Sequence, residues 1–224
     1  MVYSGAVGPD GEAGVRELPD VVIRKVSVSA GDNNAYLLTC RGTGAQVLID
    51  AADDAPRLLR LIAEGEASGG HGLGLVVTTH QHWDHHRALP AVLSATGADS
   101  AAGRDDAAAL PVRPDRLLDH GDTITFGDVT LDVVHLRGHT PGSVALVLRS
   151  TDGSTHVFTG DSLFPGGVGN TFGDPANFAS LIDDVEQRLF AVLPDDTWVY
   201  PGHGKDTTIG AERPHLREWR ERGW

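Results

Sequence analysis

An apolar run that ends directly in a cluster of histidines constrains this chain more than any other feature. Leu75–Thr79 has the pattern of a buried strand, and residues 80–86 read HQHWDHH. Loops held by a rigid strand are common carriers of function. Four histidines and one aspartate in so short a loop gain little from packing, so we expect them to serve chemistry.

The spacing within this loop indicates a metal centre. Residues two apart share a face of an extended chain, so His80 and His82 can point at one ion. Once the chain turns, Asp84 and His85 can address a second ion nearby. Imidazole and carboxylate ligands together suit zinc, iron or manganese.

Three further candidate ligands occur in the same setting, after a strand-like run and beside glycine. His139 lies in Gly-His-Thr, Asp161 in Thr-Gly-Asp, and His203 in Gly-His-Gly. Glycine lets the backbone turn sharply and brings the adjacent side chain close to an ion.

These ordered motifs resemble those of the metallo-β-lactamase superfamily. Within that superfamily, GHTPGS at 138–143 and TGDSLF at 159–164 are most similar to the hydroxyacylglutathione hydrolase (glyoxalase II-like) branch. The resemblance extends from about Val21 to about Lys205. It implies an α/β fold, an αβ/βα four-layer sandwich in which helices flank two mixed sheets and the metals lie at one edge.

The resemblance also implies a role for each candidate ligand. Two divalent ions, zinc in the first place and otherwise iron or manganese, would be bound by His80, His82 and His139 at one site, by Asp84, His85 and His203 at the other, and by Asp161 between them. Asp84 and Asp161 would be the catalytic residues, positioning the ions and accepting a hydrogen bond from water. Trp83, Asn170 and Lys205 are further candidates for contact with substrate.

Hydrophobic periodicity leads independently to a layered fold. We predict strands over Val21–Ser29, Ala35–Arg41, Gln46–Ala51, Leu75–Thr79, Asp122–Phe126, Val129–Val134, Ser143–Arg149, Thr155–Thr159 and Thr197–Tyr200. We predict helices over Pro56–Glu64, Arg87–Ala95 and Ala176–Val192, and a short packed helix in the tail Glu212–Trp224. Two blocks of strands and helices predict one domain over residues 21–224, preceded by a flexible arm over residues 1–20.

Charge and composition exclude several classes of partner. The 224 residues carry 18 Lys and Arg against 31 Asp and Glu, a net charge of -13, so nucleic acid and anionic membranes would be repelled. The single cysteine, Cys40, is predicted to be a buried core residue. With neither a basic leader nor an apolar run of about 20 residues, we expect a cytoplasmic protein. The sequence leaves the oligomeric state open.

The motifs predict a hydrolase whose metal-bridging hydroxide attacks a small acyl-thiol substrate. A thiolate leaves with little acid assistance, because thiols have a pKa of about 8.5. Hydroxyacylglutathione hydrolases usually have a helical C-terminal extension and a Gly-x-Gly-Arg motif, whereas a short segment follows His203 here and residues 167–170 read GVGN. These departures leave the thiol carrier open, glutathione or another thiol.

Three alternatives stay open. A persulfide dioxygenase would use one iron, and a lactonase would differ only in its leaving group. A non-enzymatic metal-binding protein is least favoured, since structural zinc sites are usually closed and rich in cysteine. The remaining histidines lack the motif context, so we expect surface or structural roles for His71, His120, His135, His156 and His215, and a supporting or helix-start role for His86.

Overall fold

Two mixed β-sheets, packed face to face, form the centre of the fold. The structure is a computed structural model that describes residues 3–9 and 11–223. Four positions lie outside the described residues: Met1, Val2 and Asp10 of the predicted arm, and Trp224, the last position of the predicted tail.

The strands and helices have the following bounds. The first sheet contains β1–β7, at Gly14–Glu17, Val21–Ser27, Asn34–Cys40, Gln46–Ile49, Leu73–Thr78, Asp99–Gly103 and Arg116–Leu118. The second sheet contains β8–β11, at Thr123–Phe126, Val129–His135, Val144–Arg149 and Thr155–Gly160, and β14 and β15, at Trp198–Pro201 and Thr207–Thr208. A small hairpin pairs β12 with β13, at Leu163–Phe164 and Gly167–Val168. The helices α1–α5 are Ala55–Ala67, Leu89–Thr96, Pro175–Val185, Ile209–Glu212 and Leu216–Arg222.

Both sheets combine antiparallel and parallel pairing. In the first sheet β1 to β4 are antiparallel and β4 to β7 are parallel. Parallel neighbours need a crossover, and α1 and α2 provide it on either side of β5. In the second sheet β8 to β11 are antiparallel, while β14 runs parallel to β11 after the α3 crossover.

Three apolar clusters hold four layers together. Ile23 and Leu38 of the first sheet belong to one buried cluster with Leu131 and Leu146 of the second. Apolar residues of α1 and α2 cover the outer face of the first sheet, and those of α3 and α5 cover the outer face of the second. This is the predicted αβ/βα sandwich, so the prediction of the fold is confirmed.

The predicted helix over 176–192 is wrong at its carboxyl end. α3 ends at Val185, and a π-helical stretch follows over Glu186–Phe190. A π turn contains more residues than an α turn, so it rotates the residues that come after it. Val192, the last residue of the predicted helix, is 62% exposed, while Leu193 is buried.

The described part of the predicted flexible arm does not stand apart from the fold. Residues 14–17 form β1, which pairs with β2 and completes the edge of the first sheet. Tyr3 donates a hydrogen bond to Asp206 (2.7 Å), and the carbonyl of Gly5 accepts one from Lys25 (2.9 Å). This segment thus supplies hydrogen-bond partners to the buried side chains of Lys25 and Asp206.

Strands β6 and β7 were not predicted from sequence. β6 reads DSAAG, and small residues have a low intrinsic preference for strands. Ala101 and Ala102 are nevertheless buried, because β6 lies between two parallel neighbours. Tertiary pairing overrides local propensity here. In the described tail, Trp219 is buried in α5, which confirms a short packed helix.

No helix in residues 3–9 and 11–223 is both long and apolar enough to cross a membrane.

The single cysteine, Cys40, is buried, as predicted.

A buried ion pair joins the first strands to the last loop. Lys25 and Asp206 have side chains 0% and 1% exposed, with Nζ 2.6 Å from Oδ1. Nζ also donates to the carbonyl oxygens of Gly204 (2.7 Å) and Gly5. These three acceptors satisfy every proton of the Lys25 ammonium group. Asp206 accepts a further hydrogen bond from Trp198 (2.8 Å).

We expect Lys25→Met to lower the free energy of unfolding by about 3–5 kcal/mol, since it leaves the Asp206 carboxylate buried and unpaired. Urea unfolding at a fixed metal concentration measures the change. Lys205→Met is the matched control, because Lys205 is exposed and should change stability by no more than about 0.5 kcal/mol. Equal effects of the two substitutions would contradict the assignment.

Candidate metal centre

The predicted ligands follow the ends of four strands and meet at one edge of the sandwich. His80 follows β5, His139 follows β9, Asp161 follows β11 and His203 follows β14. Asp84 and His85 lie in a short helical turn just after the first of these loops. All seven predicted residues belong to three overlapping groups whose ligand atoms lie within 4.8 Å of one another.

His80, His82 and His139 form the first group. Nδ1 of His82 and Nε2 of His139 are 2.8 Å apart. His80 and His139 are buried, whereas His82 is half-buried. The group therefore faces inward on one side and is accessible on the other.

Asp84, His85 and His203 form the second group. The Nε2 atoms of His85 and His203 are 3.1 Å apart. Oδ2 of Asp84 lies 3.5 Å from Nε2 of His203 and 4.0 Å from Nε2 of His85.

Asp161 lies between the two groups. Its Oδ2 is 3.5 Å from Nε2 of His139 in the first group and 3.4 Å from Nε2 of His203 in the second. Its Oδ1 is 3.3 Å from Nε2 of His85. A carboxylate in this position can contribute an oxygen to each of two cations.

Oxygen atoms fix the outward-facing nitrogens of four of the histidines. Nδ1 of His80 lies 3.0 Å from Oγ1 of Thr79, and Nδ1 of His85 lies 2.9 Å from Oδ2 of Asp50. Nδ1 of His139 lies 2.7 Å from the carbonyl oxygen of Asn170, and Nδ1 of His203 lies 2.7 Å from the carbonyl oxygen of Gly31. Carbonyl and carboxylate oxygens only accept, so Nδ1 donates in the last three. In the neutral rings Nε2 then presents a lone pair to the centre.

The inward-facing atoms fit a cation. Nε2 of His80 and Oδ1 of Asp161 are buried and have no hydrogen-bond partner. Nε2 of His85 and Nε2 of His203 lie 3.1 Å apart, and because Nδ1 of each ring already donates to an oxygen, a proton or a cation is needed between the two Nε2 atoms. A divalent ion satisfies such atoms, and this mixture of imidazole and carboxylate suits zinc, iron or manganese. The residues therefore form a divalent metal site.

Burial and mutual charge set the protonation of these groups. Burial holds the pKa of His80 well below its ordinary value and also lowers the pKa of His139. Burial lowers the pKa of His85 as well, but the carboxylates of Asp161 and Asp50 outweigh it and raise that pKa to about 10. Burial raises the pKa of Asp161, yet the imidazoles around it hold it well below normal. A metal ion thus competes with a proton on His85.

Close approach of the loops depends on glycine, as predicted. A Cβ on Gly202 would lie 2.1 Å from Oδ1 of Asp161 and 2.7 Å from Cε1 of His85. No other residue leaves that space, so the glycine before His203 lets the last loop reach the centre.

Sequence reasoning missed two residues that orient ligands. Asp50, directly after β4, accepts hydrogen bonds from the amide and hydroxyl of Thr79 (2.7 and 2.8 Å) in addition to its contact with His85. Asn33 donates to Oδ2 of Asp84 at 3.0 Å. An aspartate that ends an apolar strand was a signal for the first of these, and nothing local marks the second.

The three candidates for substrate contact have different surroundings. Trp83 is 62% exposed, and the guanidinium of Arg87 lies 3.8 Å above its ring. Asn170 contributes its main-chain carbonyl to His139, while its exposed side chain accepts the amide of Phe172 at 2.7 Å. Lys205 is exposed, two residues beyond His203. Contact with substrate stays a prediction for all three.

Phe172 is a third residue of the site that the sequence did not reveal. It is 70% exposed, and its backbone has a φ of 56°, which is unfavourable for a residue with a side chain. Its ring centroid lies 5.7 Å from that of His82 and 6.1 Å from that of His139. The strained backbone holds an apolar ring at the accessible side of the first group.

The other histidines lie outside the three groups. His86 is buried and its Nε2 donates to the carbonyl of Gln81 at 2.9 Å, which braces the metal-binding loop. His156 is buried between Ser154 and Tyr200. Both have supporting or structural surroundings, as predicted.

Residues 28–203 match the family description Metallo-beta-lactamase superfamily, and the chain belongs to this superfamily. A hydroxyacylglutathione hydrolase from Jannaschia sp. is 39% identical over 173 residues, which make up 77% of this chain and 62% of that protein. The chain thus spans less than two thirds of that relative's length. The family resemblance found in the sequence is confirmed.

Two solved structures have the same fold. The crystal structure of ETHE1 from Myxococcus xanthus superposes with a TM-score of 0.73 at 30% identity, covering 87% of this chain and 82% of that one. The structure of TTHA1623 in a di-iron-bound form superposes with a TM-score of 0.67 at 31% identity, covering 84% and 96%.

We expect His203→Ala to lower the metal content of the purified protein from two equivalents towards one, because it removes a ligand of the second group only. Elemental analysis measures the content. His215→Ala is the control, since His215 is exposed and belongs to none of the three groups. Equal metal content in the two variants would show that His203 is not a ligand.

Proposed function

We propose that this protein is a hydrolase of small thioesters that uses two divalent metal ions. The observation that carries the proposal is the convergence of seven imidazoles and carboxylates around two adjoining positions, with Asp161 between them. The similarity to proteins named hydroxyacylglutathione hydrolase supports the same reaction class. Zinc is the first expectation, and the di-iron form of TTHA1623 keeps iron as an alternative.

The pair of ions, when bound, would lower the pKa of a shared water to about 7 and polarise the thioester carbonyl. His80, His82 and His139 would bind one ion and Asp84, His85 and His203 the other, and Asp161 would contact both. Asn33 fixes the carboxylate of Asp84 by donating to Oδ2, so the other oxygen is left to accept a hydrogen bond from water. Asp161 and Asp84 would in this way orient the attacking water.

A thioester fits the acid groups available at this site. Thiols have a pKa of about 8.5, so a thiolate can leave without a dedicated proton donor. An amide nitrogen would need such a donor. Four of the five imidazoles of the site have Nδ1 beside an oxygen atom and Nε2 towards the centre. This arrangement favours a good leaving group.

An exposed apolar ring borders the accessible side of the site. Phe172 and Trp83, at 70% and 62%, are among the most exposed large hydrophobic residues of the described chain. Phe172 lies beside His82 and His139, so we infer that an apolar part of the substrate packs on its ring. Asn170 occupies the position where the related branch has arginine, which supports a thiol carrier other than glutathione.

An iron-dependent persulfide dioxygenase would need one metal. Asp84, His85 and His203 form a second group in addition to the first, and their ligand atoms lie within 4.8 Å of one another. The complete second group therefore favours two ions. One equivalent of iron together with oxygen uptake on a thiol persulfide would support the dioxygenase instead.

We expect the metal-loaded protein to hydrolyse acyl thioesters and to lose that activity on chelation. The assay uses thioesters of glutathione, of coenzyme A and of a small apolar thiol, with a lactone series in parallel. His82→Ala should reduce kcat/KM by at least about 100-fold, since it removes a ligand, and His215→Ala should not reduce it. Preferential cleavage of lactones would assign the lactonase reaction, and no cleavage by a fully loaded protein would overturn the proposal.

We expect Phe172→Gly to leave stability unchanged or raise it by up to about 1 kcal/mol, because glycine relieves the left-handed backbone. The same change should lower kcat/KM about tenfold for thioesters with a bulky apolar acyl group, which corresponds to about 1.4 kcal/mol of lost contact. Phe172→Ala is the control: it removes the ring but retains the strain. An undiminished kcat/KM in both variants would exclude a role for the ring in binding.

A further inference from the structure

Asp106 is a fully buried carboxylate outside the ligand groups. It lies after β6, at the start of a short helical turn over Ala107–Ala109, and is 0% exposed. Among the residues that the structure describes, no ion pair includes it. A buried carboxylate without a basic partner needs hydrogen-bond donors in its place.

The donors come from two separate loops, each of which carries predicted ligands. Oδ2 accepts the amide of Gln81 at 2.9 Å and the hydroxyl of Thr140 at 2.6 Å. Oδ1 accepts the amide of Gly142 at 2.7 Å. Gln81 separates His80 from His82 in the chain, and Thr140 follows His139. One carboxylate thus joins both loops of the tri-histidine group.

The packing around Asp106 admits little displacement. A Cβ on Gly142 would lie 2.4 Å from the amide nitrogen of Asp106, and a Cβ on Gly103 would lie 1.9 Å from the carbonyl oxygen of Gly142. Glycines at both positions allow the turn after β6 to press against the His139 loop. The carboxylate therefore sets the separation of the two loops.

We propose that Asp106 is a positioning residue for the tri-histidine metal group, fixing the loop of His80 and His82 against the loop of His139 through three hydrogen bonds. Nδ1 of His82 and Nε2 of His139 are 2.8 Å apart, a separation that must suit one cation. Partners that orient metal ligands typically contribute about 10–100-fold to metal affinity. This inference rests on the proposed function only in that His80, His82 and His139 bind a metal ion.

The test compares Asp106→Asn with wild-type protein and with Asp115→Asn. The amide of asparagine donates where the carboxylate accepted, so one of the three donors loses its partner. Asp115 is the matched control, because it also accepts a backbone amide of β6, that of Ser100 at 2.8 Å, but contacts neither ligand loop. Competition with a chromophoric chelator measures the affinity for Zn²⁺, and thermal unfolding of the metal-free proteins measures their stability.

We expect Asp106→Asn to bind at least one Zn²⁺ equivalent about 10–100-fold more weakly than wild type, and Asp115→Asn to bind as wild type does. A purely structural role would lower the melting temperature of the metal-free protein without changing affinity, and that result overturns the inference. Wild-type protein that binds no metal contradicts the proposed function itself. If wild-type protein binds Zn²⁺ and Asp106→Asn binds it with an affinity within about twofold of wild type, only the role of Asp106 is contradicted.

Two substitutions at Thr140 keep the inference testable if Asp106→Asn fails to fold. Thr140→Val removes one donor to Asp106 without changing side-chain shape, and Thr140→Ser retains it. We expect several-fold weaker Zn²⁺ binding in Thr140→Val and wild-type affinity in Thr140→Ser. Equal affinities in the two variants would reject a role for this hydrogen bond in metal binding.

Discussion

The need to satisfy several lone pairs that converge in a buried space governs this structure. Imidazole nitrogens and carboxylate oxygens from four loops meet within hydrogen-bond range, and their outward-facing atoms are already committed to oxygen partners. Nε2 of His80 and Oδ1 of Asp161 have no partner in the protein. Divalent cations would satisfy these atoms, and the rest of the fold holds the loops together around them.

The sandwich provides that restraint through strand ends and buried polar contacts. β5, β11 and β14 each deliver a ligand at the carboxyl end, so the positions of the ligands follow from strand pairing rather than from the loops alone. Asp50 and Asp106 then tie neighbouring loops together from within. Lys25 and Asp206 do the same for the loop that carries His203. Several separate polar contacts thus hold the ligand-bearing edge of the sandwich in place.

The same geometry explains why a hydrolase is the favoured function. The two ligand groups, with Asp161 between them, would hold two cations, which would supply an activated water when bound. Because the outer nitrogens of four of the five imidazoles already contact oxygen atoms, the site favours a leaving group that is stable as an anion, such as a thiolate. The apolar ring of Phe172, held in a strained conformation beside His82, indicates that selectivity for the substrate depends on this side of the site.

The sequence by itself predicted the seven residues that converge at the site, and it determined the superfamily and the layered fold, because strand-ending histidines, aspartates and glycines leave a strong local pattern. It could not determine β6, whose alanines are strand-forming only between two neighbours, or the exposure of Val192, which a π turn rotates out of the core. Nor could it reveal Asp106, Asn33 or Phe172, since their roles arise from contacts between residues far apart in the chain. Local patterns identify what a residue can do, whereas tertiary packing decides which neighbours it meets.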